Sequence, residues 1–221
     1  MLGSLPSHLT IVLASSSPRR KEILDLAGIP FTVVPTRFDE ETIRATKFSV
    51  PPETYVTNSA VLKARDVLPL LVPPSSADHT FLVIGSDTVV DLAGEIMEKP
   101  RSEGEAEEML RSLSGNSLRV HTGVAIFLHK FRSGSPPPLS AAPKPAQAYA
   151  ATTKVNFGTL SPSDISAYVA SGEPMDKAGS FAIQGRGGQF VEGIEGDYYN
   201  VMGLPMNRVS RGLSELIKEL I

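Results

Sequence analysis

The sequence predicts an α/β fold with a mixed sheet. Short apolar runs rich in β-branched residues alternate along the chain with segments of helical periodicity. A strand followed at once by a helix start opens the chain. In the second half, residues 118–128 have the pattern of a central strand, and residues 148–157 have the alternation of its partner. No internal repeat is visible.

The first elements are a strand and a helix joined by a tight loop. Residues 10–14 (TIVLA) form a short apolar run that is typical of a buried strand. Ser17 is the predicted N-cap of the helix, because Pro18 fits the first helical position. Gly28 and Pro30 end this helix.

A strand, a longer helix and a hairpin follow. The run FTVVP (31–35) predicts the strand, and apolar or small residues at helical spacing predict a helix over 52–71 with Lys63 in its middle. Residues 81–99 begin as a buried strand and continue as a hairpin with Asp91 in its turn.

Capping patterns mark the remaining helices. Ser102 and Glu105 have the spacing of a capping box and open a helix that ends at Ser114. Ser161, followed by a proline, opens another helix, and Pro205 starts the last one. A glycine-dense tract separates these last two helices.

The chain is predicted to be one domain over residues 1–221 with a loop insert at residues 131–148. The insert is rich in Pro, Ala and Ser and poor in large apolar side chains, so it cannot bury enough surface to offset its ordering entropy. We expect an exposed loop without a catalytic role. A polyproline ligand for a partner domain is the less favoured alternative, because three consecutive prolines are not a specific docking motif.

Composition excludes several functional classes. The 21 Lys and Arg against 24 Asp and Glu give a formal charge of −3, so overall charge does not attract a nucleic acid polymer. Without Cys there is no disulfide, thiolate zinc site or cysteine nucleophile. No run reaches the roughly 18 apolar residues of a membrane span, and no signal segment is recognisable. We therefore expect a cytoplasmic protein without a membrane partner.

Two arginines break a local rule at the start of the first helix. The first turn of a helix favours acidic side chains, because its free N–H groups and the macrodipole are positive. Arg19 and Arg20 lie in this turn. With the hydroxyls of Ser15 and Ser17 they would complete an anion site. A solvated basic turn explains this loop equally well when the loop is taken alone.

A carboxylate and a hydroxyl, Asp87 and Thr88, interrupt a buried apolar strand. A charge inside a strand is costly unless it is paired or bound to a cation. We favour a carboxylate that faces a cleft at the end of the strand, where it would hold Mg²⁺ or orient water. The alternative is an Asp at an exposed strand end.

Several other polar residues suit a polyphosphate with a divalent metal. Asp39 and Glu40 are candidate metal ligands, and Lys63 and Lys99 are candidate phosphate contacts, although each alone is more often a surface charge. Gln184 lies in an apolar run and is a candidate buried amide that needs partners. The four histidines have no metal-binding spacing, and no GxSxG motif supports a serine hydrolase.

Nine motifs occur in order along nearly the whole chain. They are LASSSPRRKEIL (13–24), FDE (38–40), KA (63–64), IGSDTVV (84–90), EKPR (98–101), LSGN (113–116), HTGVA (121–125), YVASGEPMDKAGSFAIQGRGG (168–188) and GLP (203–205). This series resembles the Maf family of nucleoside triphosphate pyrophosphatases. The chain departs from the compact members in its Pro-rich insert and in extra residues around 72–80, and neither departure touches a motif.

The resemblance implies an elongated sheet in two lobes with a central cleft, similar to inosine triphosphate pyrophosphatases. It also implies hydrolysis of a nucleoside triphosphate to the monophosphate and pyrophosphate, with Asp87 as proton acceptor and Lys63 and Lys99 as catalytic partners. The expected phosphate-binding residues are Ser15, Ser17, Arg19, Arg20, Lys63 and Lys99. The expected cofactor is Mg²⁺ or Mn²⁺ on Asp87, with Glu40 as a second ligand.

Three positions separate subgroups within the family. Arg19, Thr88 and Gln184 match the subgroup that acts on dTTP and UTP, whereas the subgroup that acts on 7-methyl-GTP has Trp, Gln and Glu there. The resemblance therefore implies hydrolysis of dTTP, UTP and modified pyrimidine nucleotides in the clearing of nucleotide pools, by a homodimer. The alternatives are a 7-methyl-GTP pyrophosphatase and a nucleotide-binding regulator of cell division that acts through a protein partner.

Overall fold

The computed structural model describes residues 5–74, 77–133 and 143–220. Within these ranges seven strands form one sheet: β1 (Leu9–Leu13), β2 (Thr32–Val33), β3 (His79–Leu92), β4 (Glu95–Met97), β5 (Ser117–Phe131), β6 (Gln147–Phe157) and β7 (Val191–Glu195). Their order is β2-β1-β3-β5-β6-β7, with β4 paired to the end of β3. β1 is parallel to β2 and β3, and the other pairs are antiparallel. The predicted mixed sheet is confirmed.

Seven α-helices lie in the described ranges. They are α1 (Pro18–Leu26), α2 (Glu41–Arg44), α3 (Pro52–Val67), α4 (Glu103–Leu113), α5 (Pro162–Ala170), α6 (Tyr198–Met202) and α7 (Met206–Lys218). Ser161 and Asp164 form a complete capping box at α5. At α4 only half of the predicted box forms, because the carboxylate of Glu105 accepts from the N–H of Arg101 instead of from Ser102.

Helices pack on both faces of the sheet around three large apolar clusters. In the first lobe, α1 and α7 cover one face of β1, β3 and β5 around Leu13 and Ile84, and α3 covers the opposite face. In the second lobe, α4 and α5 pack around Leu110 and Val120 on the far halves of the same long strands. β3 and β5 have 14 and 15 residues, so both strands run through both lobes.

Two glycines set the distance between α3 and the sheet. A Cβ added at Gly85 would lie 2.2 Å from the carbonyl oxygen of Ala60, and one at Gly123 would lie 2.1 Å from that of Val56. Gly123 is the register partner of Asp87 across β3 and β5. The close approach of α3 therefore occurs beside the carboxylate that the sequence singles out.

Some elements differ from their predictions. The helix predicted over 52–71 ends at Val67 and continues as a 3₁₀ turn over Leu68–Leu70. The single-turn helices α2 and α6 were not predicted, because one turn is too short to show an apolar period. No helix in the described ranges is long and apolar enough to cross a membrane.

Strand residues occupy both ends of the predicted 131–148 insert, because β5 extends to Phe131 and β6 begins at Gln147. Residues 134–142 of this insert lie outside the described ranges. The division into one domain with a loop insert stays a prediction.

Candidate active site

A cavity of about 260 Å³ lies between the two lobes. Its walls come from the β1–α1 loop, α3, β3, α6 and the segment that follows α5. Ten residues that the sequence analysis selected line it: Ser15, Ser17, Arg19, Arg20, Glu40, Lys63, Asp87, Thr88, Lys99 and Gln184. The structure thus brings these ten residues together without Asp39, the other candidate metal ligand, and the role of each residue stays a prediction.

Lys63 forms the centre of the charged part of this cavity. Its Nζ lies 2.7 Å from Oδ1 of Asp87 and 2.7 Å from Oε1 of Glu40. The Lys63 side chain is only 7% exposed and that of Asp87 17%, whereas that of Glu40 is 44% exposed. One ammonium therefore bridges a deep carboxylate and an open one.

The electrostatics of the cavity keep Asp87 ionised. Burial alone would raise the pKa of Asp87, but the charges of Lys63 and Arg20 and the hydrogen bond from Lys63 hold it below its ordinary value. Burial is the main influence on Arg20 and lowers the pKa of its guanidinium, against the opposing attraction of Asp87. The resulting site pairs an anionic acceptor with one buried cation, Lys63, and one half-buried cation, Arg20.

The guanidinium of Arg20 is fixed on three sides. It donates to the carbonyl oxygen of Gly203 at 2.9 Å, to the hydroxyl of Ser15 at 3.2 Å and to the hydroxyl of Thr88 at 3.2 Å. Ser15 also accepts from the N–H of Ser17 at 3.1 Å. These bonds hold Arg20 in place without a carboxylate partner, which leaves its charge available to an anion.

A chain of hydroxyls supports Thr88. Its Oγ1 lies 3.0 Å from Oγ1 of Thr122, which donates to the carbonyl oxygen of Asn200 at 2.9 Å. Thr122 has one proton and gives it to Asn200, so Thr88 donates to Thr122 and accepts from Arg20. Thr88 therefore orients a guanidinium in this structure, a contact that the sequence did not reveal.

The N-terminus of α1 lies at the cavity as an uncapped helix end. Ser17 occupies the predicted N-cap position, but no side chain caps the helix and its first turn carries no acidic residue. This helix lies wholly in the described part of the chain. Free N–H groups at a helix start attract an anion.

Arg19 crosses the mouth of the cavity. Its guanidinium donates to Oδ2 of Asp176 at 2.9 Å and to the carbonyl oxygen of the same residue at 3.0 Å. Lys177 also pairs with Asp176 and lines the cavity. Sequence reasoning missed Asp176 and Lys177 as site residues, although both lie in the longest family-like motif, because their contacts join segments far apart in the chain.

Lys99 and Gln184 line the cavity, and within the described residues neither side chain has a hydrogen-bond or ion-pair partner. Both are exposed. The prediction that Gln184 is a buried amide was wrong, because the apolar run before it turns outward at Gln184 and the amide borders the open cavity. A free ammonium and a free amide are groups that a ligand can engage.

The cavity also has an apolar wall. Val90 and Val120 face each other across β3 and β5, two residues beyond the Thr88 and Thr122 pair, and both line the cavity with Phe181. A ligand with a charged end and a flat apolar end matches this arrangement.

The two carboxylates of the cavity suit a metal ion that a substrate also coordinates. Within the described ranges no group of three or more His, Asp and Glu side chains is arranged to hold a metal. Asp87 and Glu40 offer two carboxylates around one ammonium. Mg²⁺ is commonly held by one or two carboxylates plus substrate phosphates and water, so this pair fits. Asp39 does not line the cavity, and its carboxylate accepts from the N–H of Glu41 at 3.0 Å at the start of α2.

Comparison with known proteins gives a consistent result. A family model described as Maf-like protein matches residues 10–216. A dTTP/UTP pyrophosphatase from Bacillus cereus is 43% identical over 205 residues, which cover 93% of this chain and 94% of the relative. A protein of the same name from Moorella thermoacetica is 43% identical over 204 residues, with 92% and 93% covered.

Proposed function

The chain belongs to the Maf family, and on that basis we propose that it hydrolyses dTTP and UTP to the nucleoside monophosphate and pyrophosphate. One observation carries this proposal. The ionised Asp87 lies against Lys63 in the same cavity as Arg20, whose guanidinium donates to no carboxylate among the described residues. A triphosphate needs cations for its oxygens and a carboxylate for the attacking water.

The proposed reaction is attack of water on the α-phosphorus. Asp87 accepts the proton of the water, the bond between the α-phosphorus and the bridging oxygen breaks, and pyrophosphate leaves. Arg19, Arg20 and Lys99 bind phosphate oxygens, and Lys63 keeps Asp87 correctly placed. The low pKa of Asp87 in the free protein fits this role, because the negative charge of an entering triphosphate raises the proton affinity of a nearby carboxylate.

A panel of triphosphates with detection of pyrophosphate tests the proposal. We expect dTTP and UTP to be turned over faster than CTP, ATP, GTP and 7-methyl-GTP. Faster turnover of 7-methyl-GTP would contradict the substrate choice. Binding of nucleotides without turnover would contradict the enzyme and favour the regulator.

A divalent metal, Mg²⁺ or Mn²⁺, is part of the proposal, with Asp87 and Glu40 as its protein ligands. When bound, such an ion neutralises charge that develops on the phosphate oxygens. The chain itself contributes a half-exposed carboxylate at Glu40, which can turn from Lys63 towards a ligand.

Removal of metal is expected to stop turnover. Excess EDTA should abolish release of pyrophosphate from UTP, and added Mg²⁺ should restore it. Glu40→Gln should raise the Mg²⁺ concentration for half-maximal turnover, because it removes one anionic ligand. Glu41→Gln is the matched control, since Glu41 is the next residue and pairs with Arg44 outside the cavity. An equal shift in both variants would contradict the role of Glu40.

Gln184→Glu is expected to lower kcat/KM for dTTP and UTP by about 100-fold. The variant loses a hydrogen bond to the base, and a site that recognises its substrate by hydrogen bonds is sensitive to the loss of one. The amide would donate to O4 of the base, and a carboxylate repels that oxygen. Gln189→Glu is the control, because Gln189 bonds to the carbonyl oxygen of Arg186 and does not line the cavity. Equal losses for all nucleotides in the panel would remove the base-reading role.

The cytoplasm and a homodimer complete the proposal, and both rest on resemblance to the family. Light scattering coupled to size-exclusion chromatography tests the dimer, and a mass of one chain at micromolar concentration would contradict it.

A further inference from the structure

The carboxylate of Glu173 organises the glycine-rich segment that follows Gln184. Oε1 accepts from the hydroxyl of Tyr168 at 2.8 Å and from the N–H of Gly187 at 3.1 Å. Oε2 accepts from the N–H of Arg186 at 3.1 Å. Three donors therefore converge on one carboxylate, and hydrogen bonds to a charged acceptor are stronger than neutral ones.

The hydroxyl of Tyr168 extends this network to the other side of Gln184. Its oxygen accepts from the N–H of Ala182 at 3.1 Å while its proton goes to Glu173. The backbone is thus tied two residues before Gln184, at Ala182, and two and three residues after it, at Arg186 and Gly187. Gln184 lies in the middle of a segment that is anchored at both ends.

Glycines are required where this network meets the chain. A Cβ at Gly185 would lie 2.6 Å from the carboxylate oxygens of Glu173, and one at Gly187 would lie 2.5 Å from the hydroxyl oxygen of Tyr168. The sequence Gly-Arg-Gly-Gly is therefore neither a phosphate-binding loop nor a mere flexible connection. It lets the backbone approach the half-buried carboxylate of Glu173 and the buried hydroxyl of Tyr168.

Charge states agree with the direction of the hydrogen bonds. Burial alone would raise the pKa of Glu173, but the N–H groups of Gly187 and Arg186 and the hydroxyl of Tyr168 hold it below its ordinary value. Burial and the neighbouring carboxylate raise the pKa of Tyr168. At neutral pH the phenol therefore keeps its proton and Glu173 is ionised.

We propose that Tyr168 and Glu173 are positioning residues that hold Gln184 at the base end of the cavity and thereby set the preference for uracil and thymine nucleotides. Neither residue lines the cavity, so their effect passes through the anchored backbone. This inference rests on the proposed function. It supplies a cause for the position of Gln184, because the side chain of Gln184 has no partner of its own among the described residues.

The test compares Tyr168→Phe and Glu173→Gln with the wild-type protein. Phe lacks the hydroxyl, and the amide of Gln presents a donor to one of the N–H groups that now donate to Glu173. We expect kcat/KM for UTP to fall by roughly 10-fold to 100-fold, as for a group misplaced by about 1 Å. The ratio of kcat/KM for UTP to that for ATP should fall by about 10-fold, with KM for UTP raised more than kcat is lowered.

Asp164→Asn is the matched control, because it breaks the capping box of α5, the helix that carries Tyr168, without touching the anchored segment. It should lower the thermal midpoint and leave the UTP to ATP ratio unchanged. Amide hydrogen exchange gives a readout without activity: Ala182, Arg186 and Gly187 should exchange faster in Tyr168→Phe or Glu173→Gln, but not in Asp164→Asn.

Unchanged exchange at these amides, or faster exchange with an unchanged UTP to ATP ratio, would overturn the inference. So would an equal drop of that ratio in Asp164→Asn. If the wild-type protein turns over neither dTTP nor UTP, the proposed function fails independently of this inference. The variants are then compared with the wild-type protein by the ratio of the UTP and ATP dissociation constants from calorimetry.

Discussion

Replacement of Asp87 by Asn is expected to lower turnover of UTP about 1000-fold, within the range for loss of a general base. Asn has nearly the same shape and keeps an oxygen that accepts from Lys63, but it cannot take a proton from water. Circular dichroism should stay close to that of the wild-type protein, while the thermal midpoint should fall, because buried Lys63 keeps Glu40 but loses the charge of Asp87. Measurement of kcat at saturating UTP and Mg²⁺ checks the expectation.

Asp25→Asn is the control for this substitution. Asp25 is an exposed carboxylate on α1 that pairs with Lys21, so its loss should leave turnover unchanged. Wild-type turnover in Asp87→Asn at saturating Mg²⁺ would show that Asp87 is neither the base nor an essential ligand.

Replacement of Lys63 by Met is expected both to stop turnover and to destabilise the fold by about 3 kcal/mol, the low end for loss of one partner from a buried ion pair. Lys63 is the ammonium between Asp87 and Glu40. Its loss leaves Arg20 as the remaining cation that stabilises the charge of the nearly buried Asp87. The free energy of unfolding in urea and the rate of pyrophosphate release are the two measurements.

Lys21→Met is the matched control, because Lys21 makes a single pair with Asp25 in which both side chains are more than half exposed. Such pairs contribute little to stability. Equal urea midpoints for the two variants would contradict the view that Lys63 balances a buried charge.

The sequence predicted much of this fold because several elements carry local signals. Pro18 marks the start of α1 and Ser161 that of α5, and continuous apolar runs mark β1 and β3. The helix α6 was missed although Asp197 caps it, because five residues give no apolar period. A single capping residue is recognised in a sequence when an apolar helical period follows it, as it does after Pro18 and Ser161.

The sequence predicted which residues form the site better than it predicted the contacts between them. Arg19 and Asp87 stood out because each breaks a local rule, and both line the cavity. The partner of Arg19, Asp176, lies 157 residues away, and no local pattern encodes such a contact. The exposure of Gln184 was also misjudged, since an apolar run does not tell whether its last residue faces a core or an opening.

The glycines Gly85 in β3 and Gly123 in β5 bear on how this protein can be inactivated. Gly85 and Gly123 do not line the cavity, yet the space they leave decides how near α3 comes to Asp87. One added methyl group at either position would push Lys63 and Asp87 apart while every charged residue remained present. A mutation that inactivates this protein therefore need not alter any residue that contacts the nucleotide.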